Sequence, residues 1–443
     1  MASARAWLPR RVLPLVLLSL ALGVMGIALL FRSDGEGVVE GAIAPRPVWA
    51  GRYFPVGVFE DGHLLRGDPA RFERMIADLQ SRGFDTVLFA NTLLERDARL
   101  LEVSDRLGFN VFFAASDLRN TWWDESVPVD EATAQRAIQP LVEQLDGHHS
   151  LRGYVTADEP GLHLSEKLQL ATRTFQALDP RRPAMPVLIG TDRVGPLFSA
   201  AQPWVLLIDV YPVGFHNRAG DFTMTGFGYR NLDFVRYVRL VSEGKPPDVP
   251  LWIVLQTHSF RRELREPIPS EVRAQHWLAI GEGATGIFWF VYSSQQGWRG
   301  LVDNPPLYEE VTTLARRIGP LRNLLLSLRK TDDRFVASGG GNPYTSTLTS
   351  RDGQTLYVVA VNRDALRPQA LAIRAADPTV TGFLKDLETS RLYELGSPIG
   401  FPPGDGKIFQ LVDGLAVDGA ERSGAGVPDV GPDTSRSVRE WWA

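Results

Sequence analysis

The sequence predicts an α/β chain: a (β/α)8 TIM barrel, then a C-terminal antiparallel β-sandwich, with an apolar N-terminal helix in front. Three observations carry this. From Tyr53 onward, short runs of apolar, β-branched or aromatic residues alternate with longer amphipathic stretches. Eight such runs fill roughly 270 residues, the size of such a barrel. After about Thr331 the texture becomes alternating strands broken by turn signals.

The eight runs are Tyr53–Phe59, Phe84–Ala90, Phe109–Ala115, Leu151–Thr156, Met185–Ile189, Trp204–Val210, Leu251–Leu255 and Thr285–Tyr292. Between them lie helical segments such as Pro69–Arg82, with Phe72, Met75, Ile76 and Leu79 on one face, and Ser165–Leu178, with Leu168, Leu170, Phe175 and Leu178. An open doubly wound sheet would carry a Gly-rich phosphate turn after its first strand, and Phe59-Glu60-Asp61-Gly62-His63 is not one. The later strands are expected at Thr345–Thr349, Thr355–Asn362, Ala370–Ala375, Gly382–Leu387 and Lys407–Leu411. The domains follow: 51–330 barrel, 331–415 sandwich, and a 416–443 tail rich in Gly, Pro, Ser and Asp that is expected to be disordered.

In front of the barrel, Arg5, Arg10 and Arg11 precede an uncharged apolar run from Val12 to Phe31, about the ~20 residues a membrane-spanning helix needs. Two readings stand: an uncleaved anchor with a cytoplasmic N-terminus, or a cleaved signal peptide. Either exports the remainder across a linker at 34–50. Without the four arginines of 1–33 the formal charge moves from −5 to −9. No run of five like charges occurs, so no nucleic-acid partner is expected. Zero Cys excludes disulfides, thiolate metal sites and a catalytic thiol. His148-His149 sits in a turn and no HxxxH pair exists, so neither a metal nor a cofactor is expected.

In such a barrel the chemistry gathers where the strands end at the C-terminal rim. The second run ends at Asn91, the third at Ser116-Asp117 ahead of Trp122-Trp123, and the fourth at Ala157-Asp158-Glu159-Pro160. The sixth ends at Asp209-Val210-Tyr211-Pro212, the seventh at Gln256-Thr257-His258, and the eighth carries Trp289 and Tyr292. Aromatic faces stack on sugars while amides and carboxylates take hydroxyls, so this rim has the composition of a carbohydrate cleft. Adjacent acids at the mouth of a buried strand are costly unless used or paired. Glu159 therefore reads as a general acid with a raised pKa, or else as a structural ion pair with Asp158 as a helix cap. Asn91, Asp117, Trp122, Tyr211, Gln256, His258, Trp289 and Tyr292 read as substrate-binding residues, with Tyr211 bonded to a catalytic carboxylate. Trp252 and Trp277 read as core.

The DEP tripeptide after strand four, Asp209-x-Tyr211-Pro212 after strand six, the Gln-Thr-His end of strand seven and the run Gly283-Ala284-Thr285-Gly286-Ile287-Phe288-Trp289 resemble clan A glycoside hydrolases over roughly residues 50–415. The resemblance implies a barrel followed by a β-sandwich, and places Glu159 at the acid/base position. Two departures stand out. The family's Asn before that Glu is Asp158 here, and its strand-seven nucleophile Glu is Gln256. An amide cannot form the glycosyl ester, so Asp209 becomes the second carboxylate, able to serve an inverting mechanism across a gap of roughly 6.5–9.5 Å. The expected function is hydrolysis of glycosidic bonds in an extracytoplasmic poly- or oligosaccharide by Glu159, with Asp209 or Asp158 assisting. A glycan-binding barrel without catalysis is the alternative.

Overall fold

The computed structural model describes residues 52–114, 116–118, 127–295 and 297–412. The apolar N-terminal run, the linker, Trp122, Trp123 and the 416–443 tail lie outside the described residues. Among the described residues no helix is long and apolar enough to cross a membrane.

Eight parallel strands close a barrel: β1 (Val56–Asp61), β2 (Thr86–Ala90), β3 (Asn110–Ala114), β4 (Leu151–Asp158), β5 (Ala184–Leu188), β6 (Leu206–Val210), β7 (Leu251–Gln256) and β8 (Gly286–Phe290). The closed order is β1-β8-β7-β6-β5-β4-β3-β2. All eight predicted runs are found, shifted by a few residues at their ends. Each strand leads to one main helix: α1 (Pro69–Ser81), α2 (Arg99–Leu107), α3 (Glu131–Leu145), α4 (Ser165–Leu178), α5 (Val194–Ala201), α6 (Phe234–Ser242), α7 (Pro269–Gly281) and α8 (Pro305–Ile318). Caps set their starts. Asp68 accepts from the Ala70 and Arg71 amides ahead of α1, with Pro69 in the first turn, where its missing N–H costs nothing.

Strand alternation divides the apolar residues into two cores. Phe112, Val155, Met185, Leu207, Trp252 and Phe288 belong to a cluster filling the barrel interior. Their neighbours Val111, Tyr154, Leu206, Ile253 and Trp289 pack outward against the helices. The Trp252 ring fits inside because position 286 is glycine: a Cβ there would lie 2.5 Å from Trp252 Cδ1. Side chains plug the interior, so chemistry is confined to the rim.

The sandwich holds two antiparallel sheets. Its short strands are β9 (Leu328–Lys330), β10 (Phe335–Ser338), β11 (Pro343–Ser350), β12 (Leu356–Asn362), β13 (Gln369–Ala375), β14 (Phe383–Asp386), β15 (Leu392–Glu394), β16 (Pro398–Phe401) and β17 (Gly406–Val412). The orders are β9-β11-β12-β17-β14-β15 and β10-β13-β16. On β12, Val358 and Ala360 face the sandwich core while Val359 and Val361 join the core beneath α7.

α7 lies between barrel and sandwich and is buried nearly all round, carrying Glu271, Gln275 and His276 into the interior beside Val272, Trp277 and Leu278. Tyr344 Oη donates to Glu282 Oε1 at 2.6 Å and Ser346 Oγ to the Gly281 carbonyl at 2.7 Å. A Cβ at Gly406 would overlap Trp277 Cγ and Cβ, close to the helix backbone. Gly406→Ala should therefore destabilise the fold by about 1–3 kcal/mol, an overpacking penalty. The denaturation midpoint measures it, and an unchanged midpoint would show that the sandwich slides freely on α7.

His276, also on α7, is fully buried and stacks on Trp289 with centroids 5.8 Å apart, and neither ring nitrogen has a partner. Burial, helped by the Arg317 charge, pushes its pKa down to about 3 from the ordinary 6.5. The unfolded chain binds this proton as pH falls below about 6.5, whereas the folded chain refuses it until about pH 3, so stability declines with pH across that window. His276→Phe keeps the stack and removes the titration. Between pH 7 and pH 5 its denaturation midpoint should fall less than the wild-type one, and parallel profiles would show that His276 does not set the acid sensitivity.

Candidate active site

β4 is the longest barrel strand, and its pairing with β5 is interrupted by a register shift between Val155 and Asp158. The chain then turns at Glu159, whose φ of +47° lies in the left-handed region that non-glycine residues avoid. Its N–H is pinned to the Val187 carbonyl at 3.0 Å, and Pro160 disfavours a right-handed helical conformation at residue 159. Such conformations persist where the surroundings over-determine them, characteristically at functional sites. Asn91, Ser116, Asp158, Glu159, Gly161 and Leu164 line a cavity of about 220 Å3 above β2–β4.

Across from Glu159, β6 delivers Asp209 with the inward parity of Val205 and Leu207. Tyr211 Oη donates to Asp209 Oδ2 at 2.8 Å, and Tyr229 Oη donates to the Asp209 carbonyl at 3.2 Å. The Glu159 and Asp209 carboxyls lie within hydrogen-bonding reach of each other. Asp209 Oδ1 is buried and has no donor. A proton shared between two carboxyls is the kind of donor such an oxygen lacks. Burial pushes the Asp209 carboxyl well above the usual range, and the nearby charges of Glu159 and Asp158 add to this. Burial also raises Glu159, opposed by its hydrogen bond with Asp209 and by the Arg193 charge. Arg193 is held beside the site by its Nη2 bond to the Phe227 carbonyl at 3.2 Å.

This contact bears on the mechanism expected. An inverting pair holds a water in a gap of roughly 6.5–9.5 Å, and a retaining pair stands about 5–5.5 Å apart. Carboxyls in hydrogen-bonding reach stand closer than either, the arrangement of a pair that can share one proton. Asp158, exposed on the same cavity, is a further acid beside the pair.

Gln256 ends β7 at zero exposure. Its Oε1 accepts from the Val213 amide at 2.8 Å, and its Nε2 donates to the carbonyls of His258 and Arg265 at 3.0 Å and of Val213 at 3.3 Å. It clamps the loops after β6 and β7 and does not hold a substrate hydroxyl. His258 is nearly fully buried too: Nδ1 donates to the Phe290 carbonyl at 3.2 Å, and burial lowers the imidazole to about 4, so the ring is neutral packing.

Trp289 and Tyr292 do not line the cleft floor. Trp289 packs outward on His276, and Tyr292 Oη donates to Asp78 Oδ2 at 3.0 Å beside Tyr308. The inward parity at the end of β8 belongs to Phe290. Asn91 borders the cavity with φ +54°, and its carbonyl accepts from Arg96 Nη2 at 2.9 Å. Asp117 lies in the 3-10 turn Ser116–Leu118, and its side chain, like Trp122, falls outside the described residues. Trp252 and Trp277 are core, at zero exposure. His148 is tied to Asp105 at 2.6 Å, and among the described residues no group of three His, Cys, Asp or Glu gathers to hold a metal. Sequence reasoning passed over Arg193 and the rings of Phe227, Phe290 and Trp298, which border Tyr211 or His258, and of Phe260, which meets Phe227 and Trp298. The signal available was glycine beside an aromatic, in Gly226-Phe227-Gly228 and Gly297-Trp298.

No protein-family model matches the chain, and no curated protein matches it. Solved structures do. One described as a glycoside hydrolase aligns with a TM-score of 0.56 at 13% identity, covering 82% of this chain and 93% of that one. A glycoside hydrolase family 5 protein from Bacteroides vulgatus gives 0.53 at 11%, covering 84% and 96%. A GH42 beta-galactosidase from G. stearothermophilus, solved as a catalytic mutant, gives 0.56 at 8%, covering 81% and 98%. At such identities the likeness is one of fold.

Proposed function

We propose that this chain is a clan A-like glycoside hydrolase that cleaves a poly- or oligosaccharide outside the cytoplasm, carried there by its apolar N-terminal run as a single-pass anchor or a cleaved signal. The observation that carries the reading is the Glu159–Asp209 contact at the C-terminal rim, backed by the barrel fold shared with the glycoside hydrolases above. Glu159 meets the cavity and gives its proton to the leaving glycosidic oxygen. Asp209, held by Tyr211, shares a proton with Glu159 and so keeps the pair protonated above the ordinary carboxylate range, and the remaining negative charge favours an oxocarbenium-like transition state. Asp158 is the carboxylate assigned to the attacking water.

The test is turnover of reducing-end-labelled glycans by wild type and Glu159→Gln. Cleavage by the first and not the second supports the assignment, and equal turnover removes Glu159 from the mechanism. One observation favours the non-catalytic glycan-binding alternative: the strand-seven position holds an amide fully engaged with backbone. Binding of glycans by wild type with no cleavage of any would select that alternative.

A further inference from the structure

We infer that Tyr229 is a positioning residue for the acid pair: its hydroxyl takes the place of a missing strand at the end of β6 and so fixes Asp209 and Tyr211 relative to each other. This rests on the hydrolase reading above and adds to it a buried residue behind the site.

The need for it arises in the barrel sheet. β6 stays paired with β7 through Asp209↔Val254 and Val210↔Leu255, but its register with β5 runs only through Val187↔Leu207 and Leu188↔Ile208. β5 then leaves the barrel through Gly190, at φ +91°, and the chain enters α5 at Val194. The Leu206 amide bonds the Pro250 carbonyl on the β7 side, so by strand alternation the Asp209 carbonyl and the Tyr211 amide both point to the edge that β5 has left. Tyr229 supplies what a strand would have given there. Its Oη accepts from the Tyr211 amide at 3.1 Å and donates to the Asp209 carbonyl at 3.2 Å, one hydroxyl serving as acceptor and donor. Side chains two residues apart share a face, and across these two Tyr211 Oη reaches Asp209 Oδ2 at 2.8 Å. Holding the backbone of both residues holds that bond.

The loop after β6 is bent to deliver this hydroxyl. Gly226, Phe227 and Gly228, at φ +77°, +46° and +80°, precede Tyr229, and Arg230 and Asn231, at +56° and +58°, follow it. Non-glycine residues in the left-handed region cost energy that the surroundings must offset. Here the Thr191 amide and hydroxyl both donate to the Gly228 carbonyl, at 3.0 and 2.9 Å, Arg193 Nη2 donates to the Phe227 carbonyl at 3.2 Å, and the Tyr229 amide donates to the Gly226 carbonyl at 2.9 Å. Tyr229 itself is fully buried, its ring edge-on to that of Tyr237 with centroids 4.8 Å apart. Tyr237 Oη accepts from the Gly190 amide at 3.1 Å, so its hydroxyl serves the end of β5 while that of Tyr229 serves the end of β6. Strain in a loop whose buried tyrosine ends on the backbone of an acid marks a positioning device.

The titratable groups around Asp209 are Glu159, Asp158, Tyr211, Tyr229 and Tyr237, with the Arg193 charge acting on Glu159. Among these the Tyr211 bond favours the Asp209 carboxylate, so loosening it moves proton release to higher pH. The experiment titrates, without substrate, the protonated-carboxyl infrared band that Asp209→Asn removes, and measures kcat and KM on a glycan that wild type cleaves. Tyr229→Phe should move the midpoint of the band to higher pH and lower kcat about tenfold with little change in KM. Tyr211→Phe should do the same, and the double variant should lose less than about threefold beyond it, because both changes act through one bond. Tyr237→Phe, which removes a buried hydroxyl of the same kind, should leave the midpoint in place. If Tyr229→Phe does not fold, Thr191→Val, which cuts one tie of the loop at a partly exposed residue, should give a smaller shift in the same direction. A wild-type midpoint in folded Tyr229→Phe or, failing that variant, in Thr191→Val would overturn the proposal, as would an equal shift in Tyr237→Phe. If the midpoint moves as expected while wild type cleaves no glycan, Tyr229 keeps its place behind the pair and the hydrolase reading falls.

Discussion

Glu159→Gln is expected to lower kcat by roughly 10²–10⁴-fold with little change in KM, the loss typical of removing a positioned general acid. Glutamine keeps the shape of the side chain and its place in the cavity, so substrate binding is preserved. What it cannot do is release a proton to the leaving oxygen. Its amide can donate to Asp209 Oδ1, an atom with no other donor, so the fold should survive the exchange. The pH profile adds an independent mark. Burial raises both members of the pair, so the wild-type acid stays protonated above the ordinary carboxylate range, and kcat should decline only as pH rises through the shifted range. In the variant that alkaline limb should vanish along with the rate. The check is kcat and KM against pH for both proteins on an oligosaccharide that wild type cleaves. A raised KM with unchanged kcat would make Glu159 a binding residue, and a retained alkaline limb would place the acid elsewhere.

The barrel was legible because each of its strands is an apolar run buried on both faces, bounded by turn residues, a local pattern that survives without tertiary knowledge. Four sandwich strands of three or four residues, at Leu328–Lys330, Phe335–Ser338, Leu392–Glu394 and Pro398–Phe401, were not. They are too short to show alternation and exist because their neighbours pair with them. At the rim, Glu159, Asp209 and the Tyr211 bond followed from strand ends. Trp289 and Tyr292 went astray for a reason of parity: on β8 the inward residues are Gly286, Phe288 and Phe290, so the tryptophan between the last two faces the helices. Counting from Gly286, the position that makes room for Trp252, would have found Phe290 instead. The meeting of Phe227, Phe260, Phe290 and Trp298 was invisible because loop conformation has no period, and these rings come together only once three loops have folded.

Gln256→Glu, the substitution that would restore the nucleophile of the resembling family, is expected to destabilise the fold by about 3–5 kcal/mol, the effect of an uncompensated buried charge, and to create no new activity. The amide is chosen for its two-sided chemistry. Oε1 accepts one backbone N–H while Nε2 serves three backbone carbonyls. A carboxylate could keep the first bond, but it would face three carbonyl oxygens with no donor, inside a site of zero exposure. Protonating it would relieve the charge and return a single donor, leaving carbonyls at Val213, His258 or Arg265 orphaned and the loops after β6 and β7 loosened. Those loops carry Tyr211, Phe227 and Phe260, so the Tyr211 bond to Asp209 and the packing of Phe227 on Phe260 would suffer together. Chemical denaturation of the variant and a glycan turnover assay check both halves. A variant as stable as wild type with faster turnover would mean that residue 256 can swing into the cleft, and that its clamp on the two loops is dispensable. Loss of stability without gain of rate would instead show why glutamine occupies the end of β7. In this structure residue 256 serves architecture, and the hydrolase reading proposed above would then draw its second group from elsewhere on the rim.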